Sequence, residues 1–260
     1  MNDDTLQQIY DHAVQWTREA GKYIREKMKE SISVSTKANQ DDLVTDVDRA
    51  VERFFQEKIA ASFPHHRLMG EEGSYEAIKD LTGTVWILDP IDGTVNFVHQ
   101  ERYFAISLGV FTEGHGVIGI VYDVMNDELF TAQEGKGAFV NGQELAKLSE
   151  MNLNESILSF NAGWILKDRK LEMLVEEARG IRSYGAAALE IAYVAAGRLD
   201  AYISFHLAPW DIAGGYVILQ EVGGVATDYS GKELTFLHKG TFFAANPYLH
   251  KKILQLLRGS

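Results

Sequence analysis

Asp89-Pro90-Ile91-Asp92-Gly93-Thr94 gathers the residue types of a divalent-cation site into six positions. Its two carboxylates stand three residues apart, with a proline stiffening the chain between them. Mg²⁺ favours near-octahedral oxygen ligands at about 2.0–2.1 Å and keeps waters for chemistry, so an oxygen-rich pair of this kind suits it. Gly93 and Thr94 then offer backbone N–H groups and a hydroxyl, which suit an oxyanion. A plain turn uses the same residue types. However, Val85-Trp86-Ile87-Leu88 reads as a buried strand, and Asp89 stands where that strand emerges.

Two further acidic motifs could complete such a site. Gly70-Glu71-Glu72-Gly73 follows the apolar pair Leu68-Met69; alone, it reads as a solvated surface pair. Trp210-Asp211-Ile212-Ala213-Gly214-Gly215 reads first as a helix N-cap, a role aspartate favours. Yet two of only four prolines, Pro90 and Pro209, adjoin these candidate ligand aspartates. Thr45-Asp46-Val47-Asp48 suggests another helix start with Asp46 as the cap, and it lacks the glycine and distal glutamate of an EF-hand loop. His65, His66, His99, His115 and His206 show no metal-ligand spacing and read as solvated or structural. No P-loop and no G-x-S-x-G occurs. Gly114-His115-Gly116-Val117-Ile118-Gly119 fits the dinucleotide fingerprint in letters only. It continues as the strand-like Ile120-Val121-Tyr122 rather than a helix, so a hairpin turn is expected there.

The elements that must carry these residues follow from periodicity. Leu6, Ile9, Ala13, Trp16, Ala20 and Ile24 form one apolar helical stripe, and a second helix starts near Thr45 and runs to Pro64. Residues 84–88, 104–111, 117–124 and 129–131 are β-rich runs divided by short turns, an antiparallel meander. After about residue 146 strands and helices alternate, which points to an α/β arrangement. The strands are expected at 157–160, 200–204, 224–229 and 241–245, with helices at 169–179, 186–196, 211–222 and the C-terminus. The expected division is therefore an N-terminal α+β half, residues 1–146, holding most of the ligands, and an α/β half, residues 147–260, supplying Asp211.

Composition bounds the partners. Twenty-five basic against 37 acidic residues give a net charge of −12, which disfavours nucleic acid and anionic membranes. No apolar run approaches the about 18 residues of a membrane span, and Met1 to Trp16 shows no signal-peptide pattern, so a cytoplasmic protein is expected. Without cysteine, the sequence excludes disulfides, thiolate metal sites and cysteine nucleophiles.

In order and spacing, Gly70-Glu71-Glu72, the run Asp89 to Phe97, and Trp210-Asp211-Ile212-Ala213-Gly214 resemble the three signatures of the inositol monophosphatase family of Mg²⁺-dependent, lithium-sensitive phosphatases. Asp42 to Asp48, Gly185-Ala186-Ala187-Ala188 and Gly197-Arg198-Leu199-Asp200 match weaker ones. The resemblance implies a layered αβαβα sandwich, shared with fructose-1,6-bisphosphatase, and a homodimer acting on a small phosphorylated substrate. It implies two or three Mg²⁺ per site, with Mn²⁺ as a substitute and Li⁺ and Ca²⁺ as inhibitors. Glu71, Asp89 and the Ile91 carbonyl would hold one metal, Asp89, Asp92 and Asp211 a second, with Glu71 supporting a third. Glu71, Thr94 and Asp48 would be catalytic. Gly93, Thr94, Ala187, Ser204 and Asp211 would meet the substrate, and Lys37 and Glu72 would lie near the site. Such metals, about 3.5–4 Å apart, suit in-line hydrolysis of a phosphomonoester.

Three departures from the family pattern bear on the substrate. Val95 stands where many members have threonine, and Gly73 where serine is common. Ser204 occupies the place of a glutamate that contacts inositol hydroxyls in animal members. Inositol 1-phosphate is the expected substrate, with fructose 1,6-bisphosphate, NADP(H) and 3′-phosphoadenosine-5′-phosphate as alternatives. A catalytically silent phosphate- or metal-binding regulatory protein is the rival from another class.

Overall fold

The computed structural model describes residues 2–30, 34–36, 43–73 and 78–259. Along the chain the elements are α1 (Asp3–Lys27), β1 (Val34–Thr36), β2 (Leu43–Thr45), α2 (Asp46–Ser62), β3 (Arg67–Gly70), β4 (Thr84–Asp92), α3 (Thr94–Gln100), β5 (Ala105–Thr112), β6 (His115–Asp123), β7 (Glu128–Gln133), β8 (Ala138–Val140) and β9 (Gln143–Glu144). There follow β10 (Ile157–Ser159), α4 (Gly163–Lys167), α5 (Leu171–Glu177), β11 (Gly180–Arg182), α6 (Ala187–Ala195), β12 (Ala201–Leu207), α7 (Pro209–Glu221), β13 (Val225–Thr227), β14 (Gly240–Ala245) and α8 (Pro247–Gly259).

Strands β3 to β9 form a seven-stranded sheet in sequence order, and β11-β10-β12-β14-β13 a five-stranded one. Alternation along the strands divides the apolar side chains among three cores. Trp86 and Leu88 of β4 face α1 and α2, where they join Ile9, Trp16, Ile24 and Phe55. Val85 and Ile87 face the opposite way, toward α6 and α7. Tyr202, Phe242 and Ala244 reach the same middle core from the second sheet, while Ile203, Phe243 and Ala245 meet α5 and α8 on its outer face. The order of layers is thus helices, sheet, helices, sheet, helices, the αβαβα sandwich expected from the resemblance. α6 and α7 belong by sequence to the second part, yet they pack between both sheets.

Tight packing of α7 fixes the depth of that middle layer. A Cβ on Gly119 would come within 2.4 Å of the Gly214 carbonyl oxygen, and one on Gly214 within 2.5 Å of the Ile120 oxygen. Only glycines allow helix backbone and strand backbone to approach so closely. The Gly114 turn lies between β5 and β6, with Glu113 and Gly114 at φ 50° and 81°, so the fingerprint-like glycines do belong to a hairpin.

Several elements depart from expectation. β3 pairs parallel with β4, so the sheet is not purely antiparallel. Neither β11 nor α3 was visible as a periodic run, both being short. Thr45, not Asp46, caps α2: its side chain accepts from the Val47 and Asp48 amides, and Asp46 is the first helical residue. A threonine hydroxyl reaches the second and third amides of a helix more directly than the carboxylate of a residue already inside it. Among the described residues, no helix is long and apolar enough to cross a membrane.

Candidate functional site

Asp89 and Asp92 should point to opposite sides of β4, because side chains three apart on a regular strand alternate. The register prevents it. Asp89 lies opposite Ser107 and Asp92 opposite Ala105, so three steps on β4 match two on β5. This is a one-residue bulge, placed at Pro90 and Ile91, where a proline costs no ladder hydrogen bond. Ile91 turns into the α1/α2 core, and both carboxylates are left on the α6/α7 side. The Ile91 amide donates to Asp89 Oδ1 at 3.0 Å.

Asp211 arrives from the other direction. Pro209 occupies the first turn of α7, where its missing N–H is not needed, and Asp211 Oδ2 accepts the Ala208 amide at 2.7 Å. Asp211 is therefore the third helical residue rather than the cap. The result is that Asp89, Asp92 and Asp211 each place a carboxylate oxygen within 4.8 Å of the others.

The electrostatics of this group are adverse. Burial raises Asp89 and Asp92 well above the ordinary carboxylate range, with the charges of Glu71 and Asp92 adding to Asp89, and that of Asp211 to Asp92. Asp211 is raised to about 7, chiefly by burial, and the Ala208 N–H and Lys239 offset only part of that. None of the three takes part in a described ion pair. Crowded carboxylates need positive charge before all can ionise. An all-oxygen donor set of this kind fits Mg²⁺ in hardness.

The other predicted residues lie around this centre. Glu71 follows the end of β3 and is not in the tight triad, though its charge acts on Asp89, Asp211 and Asp48. Asp48 is buried inside the α2 capping box, where it accepts the Thr45 amide at 2.9 Å and the Thr45 hydroxyl; burial lifts it to about 6. Thr94 opens α3 and its hydroxyl donates to the Ile91 carbonyl at 3.1 Å. Gly93 adopts φ 88°, and a Cβ there would meet Ala186 Cβ and the Tyr103 oxygen at 3.0 Å. Both its conformation and its contacts require glycine. The Ala187 and Ala188 amides donate to Asp92 at 3.2 and 2.7 Å. Ser204 is buried and lies beside Tyr202, whose hydroxyl in turn senses Glu190, Asp92 and Asp211. The Glu72 amide donates to Glu52 at 2.6 Å, on the α2 side of the centre. Lys37 and Asp42 lie outside the described residues.

Sequence reasoning passed over two participants. Asn96, inside the quoted motif, donates to the carbonyls of Tyr103 and Tyr184 at 2.8 and 2.7 Å. Glu190 is a buried carboxylate whose Oε1 accepts the Tyr184 and Gly185 amides at 2.5 and 3.3 Å. A lone acid in the apolar run Ala186 to Ala196 was the signal that could have found it.

Comparisons with known proteins point to one family. Residues 5–260 match the model of the family described as "Inositol monophosphatase family". The inositol-1-monophosphatase of Bacillus subtilis is 50% identical over 253 residues, covering 95% of this chain and 96% of that protein. Among solved structures, inositol monophosphate-bound SaIMPase-II, a staphylococcal protein, superposes with a TM-score of 0.88 at 39% identity, covering 97% of this chain and 94% of that one. An IMPase/NADP phosphatase complexed with Mg²⁺ and phosphate gives a TM-score of 0.91 at 32% identity, covering 98% and 97%.

Proposed function

The chain belongs to the inositol monophosphatase family and is a phosphomonoester hydrolase, and from that premise we propose that it hydrolyses inositol 1-phosphate with Mg²⁺ at the Asp89, Asp92 and Asp211 centre. The observation that carries the reading is the bulge in β4, which turns two aspartates of one strand toward a third on α7. Glu71, Asp89, the Ile91 carbonyl, Asp92 and Asp211 would hold the metal ions. Bound there, Mg²⁺ supplies charge that offsets the phosphate and makes a water acidic at neutral pH.

The chain's own groups divide the remaining work. Thr94 commits its hydroxyl hydrogen to the Ile91 carbonyl, so its oxygen lone pairs are left to accept a hydrogen bond from the attacking water and orient it. The proton that the water loses as it attacks would go to a carboxylate, Asp48 or Glu71, and burial fits Asp48 for this by raising it to about 6. The Gly93 and Thr94 amides, at the start of α3, face the phosphate oxygens. Ala187 and Ser204 border the leaving alcohol, Glu72 stands at the periphery, and Lys37 enters this reading by the resemblance alone. The division into residues 1–146 and 147–260 belongs to this reading, with the active centre between the parts. So do the homodimer, the cytoplasmic location and inhibition by Li⁺ and Ca²⁺, all on family membership.

A second substrate reading rests on Ser204. Serine is short and uncharged, so a glutamate contact to inositol hydroxyls is missing, and the likeness to an IMPase/NADP phosphatase keeps a nucleotide phosphate in view. A panel of phosphate esters assayed with Mg²⁺ and with EDTA decides between them. Inositol 1-phosphate should give the highest kcat/KM, and only with Mg²⁺. A higher value for a nucleotide 2′-phosphate selects the second reading, and hydrolysis of no ester would favour a regulatory binding protein.

A further inference from the structure

The N-terminus of α6 has no cap of its own. Ala186 stands at the cap position, and an alanine side chain accepts nothing. The first two free amides of the helix, Ala187 and Ala188, are satisfied by Asp92 from the other sheet. Asp92 can use them only if the turn leading into α6 is held still, and two side chains do that. Glu190 Oε1 accepts the Tyr184 and Gly185 amides at 2.5 and 3.3 Å, and Asn96 donates to the Tyr184 carbonyl at 2.7 Å. Both backbone groups of Tyr184 are thus gripped, one from α6 and one from α3. Asn96 also donates to the Tyr103 carbonyl, whose oxygen lies where a Gly93 Cβ would go. The Ser159 and Tyr202 hydroxyls flank Glu190 and complete its surroundings.

We propose that Glu190 is a positioning residue: through the Tyr184-Gly185 turn it fixes the α6 amides on Asp92, and so sets the affinity of the centre for its divalent cation. It does not touch the substrate. A free Asp92 carboxylate could rotate or accept a proton; one clamped by two amides presents its remaining lone pairs in a single direction. Outer partners of this sort orient the ligand that binds the metal, and their loss costs about 10–100-fold in affinity or activity. The assignment rests on the reading that Asp92 holds Mg²⁺.

Three variants test it: Glu190→Ala, Glu190→Asp, and Ile253→Ala in the distant outer core as a control for lost stability. Mg²⁺ binding to each is measured by titration calorimetry with the metal alone, alongside hydrogen exchange at the Ala187 and Ala188 amides and kcat and KM at saturating Mg²⁺. In Glu190→Ala the Mg²⁺ dissociation constant should rise about 10–100-fold, with the two amides exchanging faster, kcat falling and substrate KM changing less than about threefold. Ile253→Ala should lower Tm and leave Mg²⁺ affinity alone. If Glu190→Ala does not fold, Glu190→Asp decides. Its carboxylate is one methylene too short to reach both amides, so a rise of about tenfold supports the assignment and an unchanged constant overturns it. Wild-type affinity in Glu190→Ala, or a loss that the control matches at equal Tm, also overturns it. Wild-type protein that takes up no Mg²⁺ would instead refute the reading of Asp92, which separates the two failures.

Discussion

Asp92 and Asp123 end β4 and β6 in a single cross-strand row, with Ala105 between them. Both are buried, and α6 spans both. Ala187 and Ala188 at its start reach Asp92, and the Tyr193 hydroxyl, two turns on, donates to Asp123 at 3.2 Å. Six helical residues rise about 9 Å, close to the about 9.6 Å of two strand spacings, so one helix can serve both aspartates. Their surroundings differ. Asp123 also accepts the Asn126 amide and side chain at 3.1 and 2.8 Å, three neutral donors in all, and the Arg198 cation acts on it as well. Asp92 has two amides but shares its space with the negative charges of Asp211 and Glu190. A buried carboxylate well served by hydrogen-bond donors holds structure together. One crowded by other acids carries excess negative charge that either a proton or an added cation must offset.

Asparagine at each position should separate the two roles. Asp92→Asn is expected to lower kcat/KM by on the order of 10³ or more, beyond the cost of losing an outer partner, and to weaken Mg²⁺ binding while the metal-free fold stays intact or gains stability. Asp123→Asn should do the reverse. It trades a well-served acceptor for a group with the wrong hydrogens facing Tyr193 and Asn126, costing about 1–3 kcal/mol, with kcat within about threefold. Chemical denaturation and steady-state kinetics on both variants check the contrast. Loss of activity in the Asp123 variant without loss of stability would break it.

Without metal, the excess negative charge has a sign in pH. Asp211 is lifted to about 7 from 3.8, and Asp89 and Asp92 are raised too. Between roughly pH 4 and 7 the folded state therefore binds more protons at these groups than the unfolded chain, and their contribution to stability falls as pH rises. His250 works oppositely. Burial lowers it to about 4, so its contribution grows with pH over the range below its ordinary value. Comparing wild type with Asp211→Asn cancels His250 and isolates the site. The metal-free variant should exceed wild type in Tm by a few degrees at pH 8 and match it near pH 4, with saturating Mg²⁺ reversing the pH 8 order. A difference independent of pH would show that the site carries no excess charge.

The contrast also shows what the residues alone could reveal. The apolar stripe of α1, the meander from β4 to β7 and the hexamer at Asp89 were legible because each is local: periodicity and composition within ten or twenty residues set them. The layer order came from resemblance, since nothing local says which sheet face α7 will cover. The bulge was not readable, although proline between two aspartates hinted at it, because it exists only in the register against β5. Glu190 was missed for the same reason. Its partners at Tyr184 and Gly185 are near in sequence, but the purpose of the turn appears only once Asp92 is brought against it from another sheet. Thr45 took the capping role expected of Asp46 because both residue types cap well, and geometry, not propensity, chose between them.

The smallest effect should come from Ser204, at the edge of the crowded acids. It is buried and lies beside a Tyr202 hydroxyl that is already within reach of the Glu190, Asp92 and Asp211 charges. Ser204→Glu introduces a further acid there. If its carboxylate turns toward the leaving alcohol, it can accept hydroxyl hydrogens that serine reaches less well, and the ratio of kcat/KM for inositol 1-phosphate over a nucleotide 2′-phosphate should rise about 10-fold, the scale of one added polar contact. If it turns inward, it joins the acids, and metal-free Tm should fall at pH 8 with the substrate ratio unchanged. The second result would extend the crowding that distinguishes Asp92 from Asp123 out to position 204, and would remove Ser204 from the residues that choose the substrate.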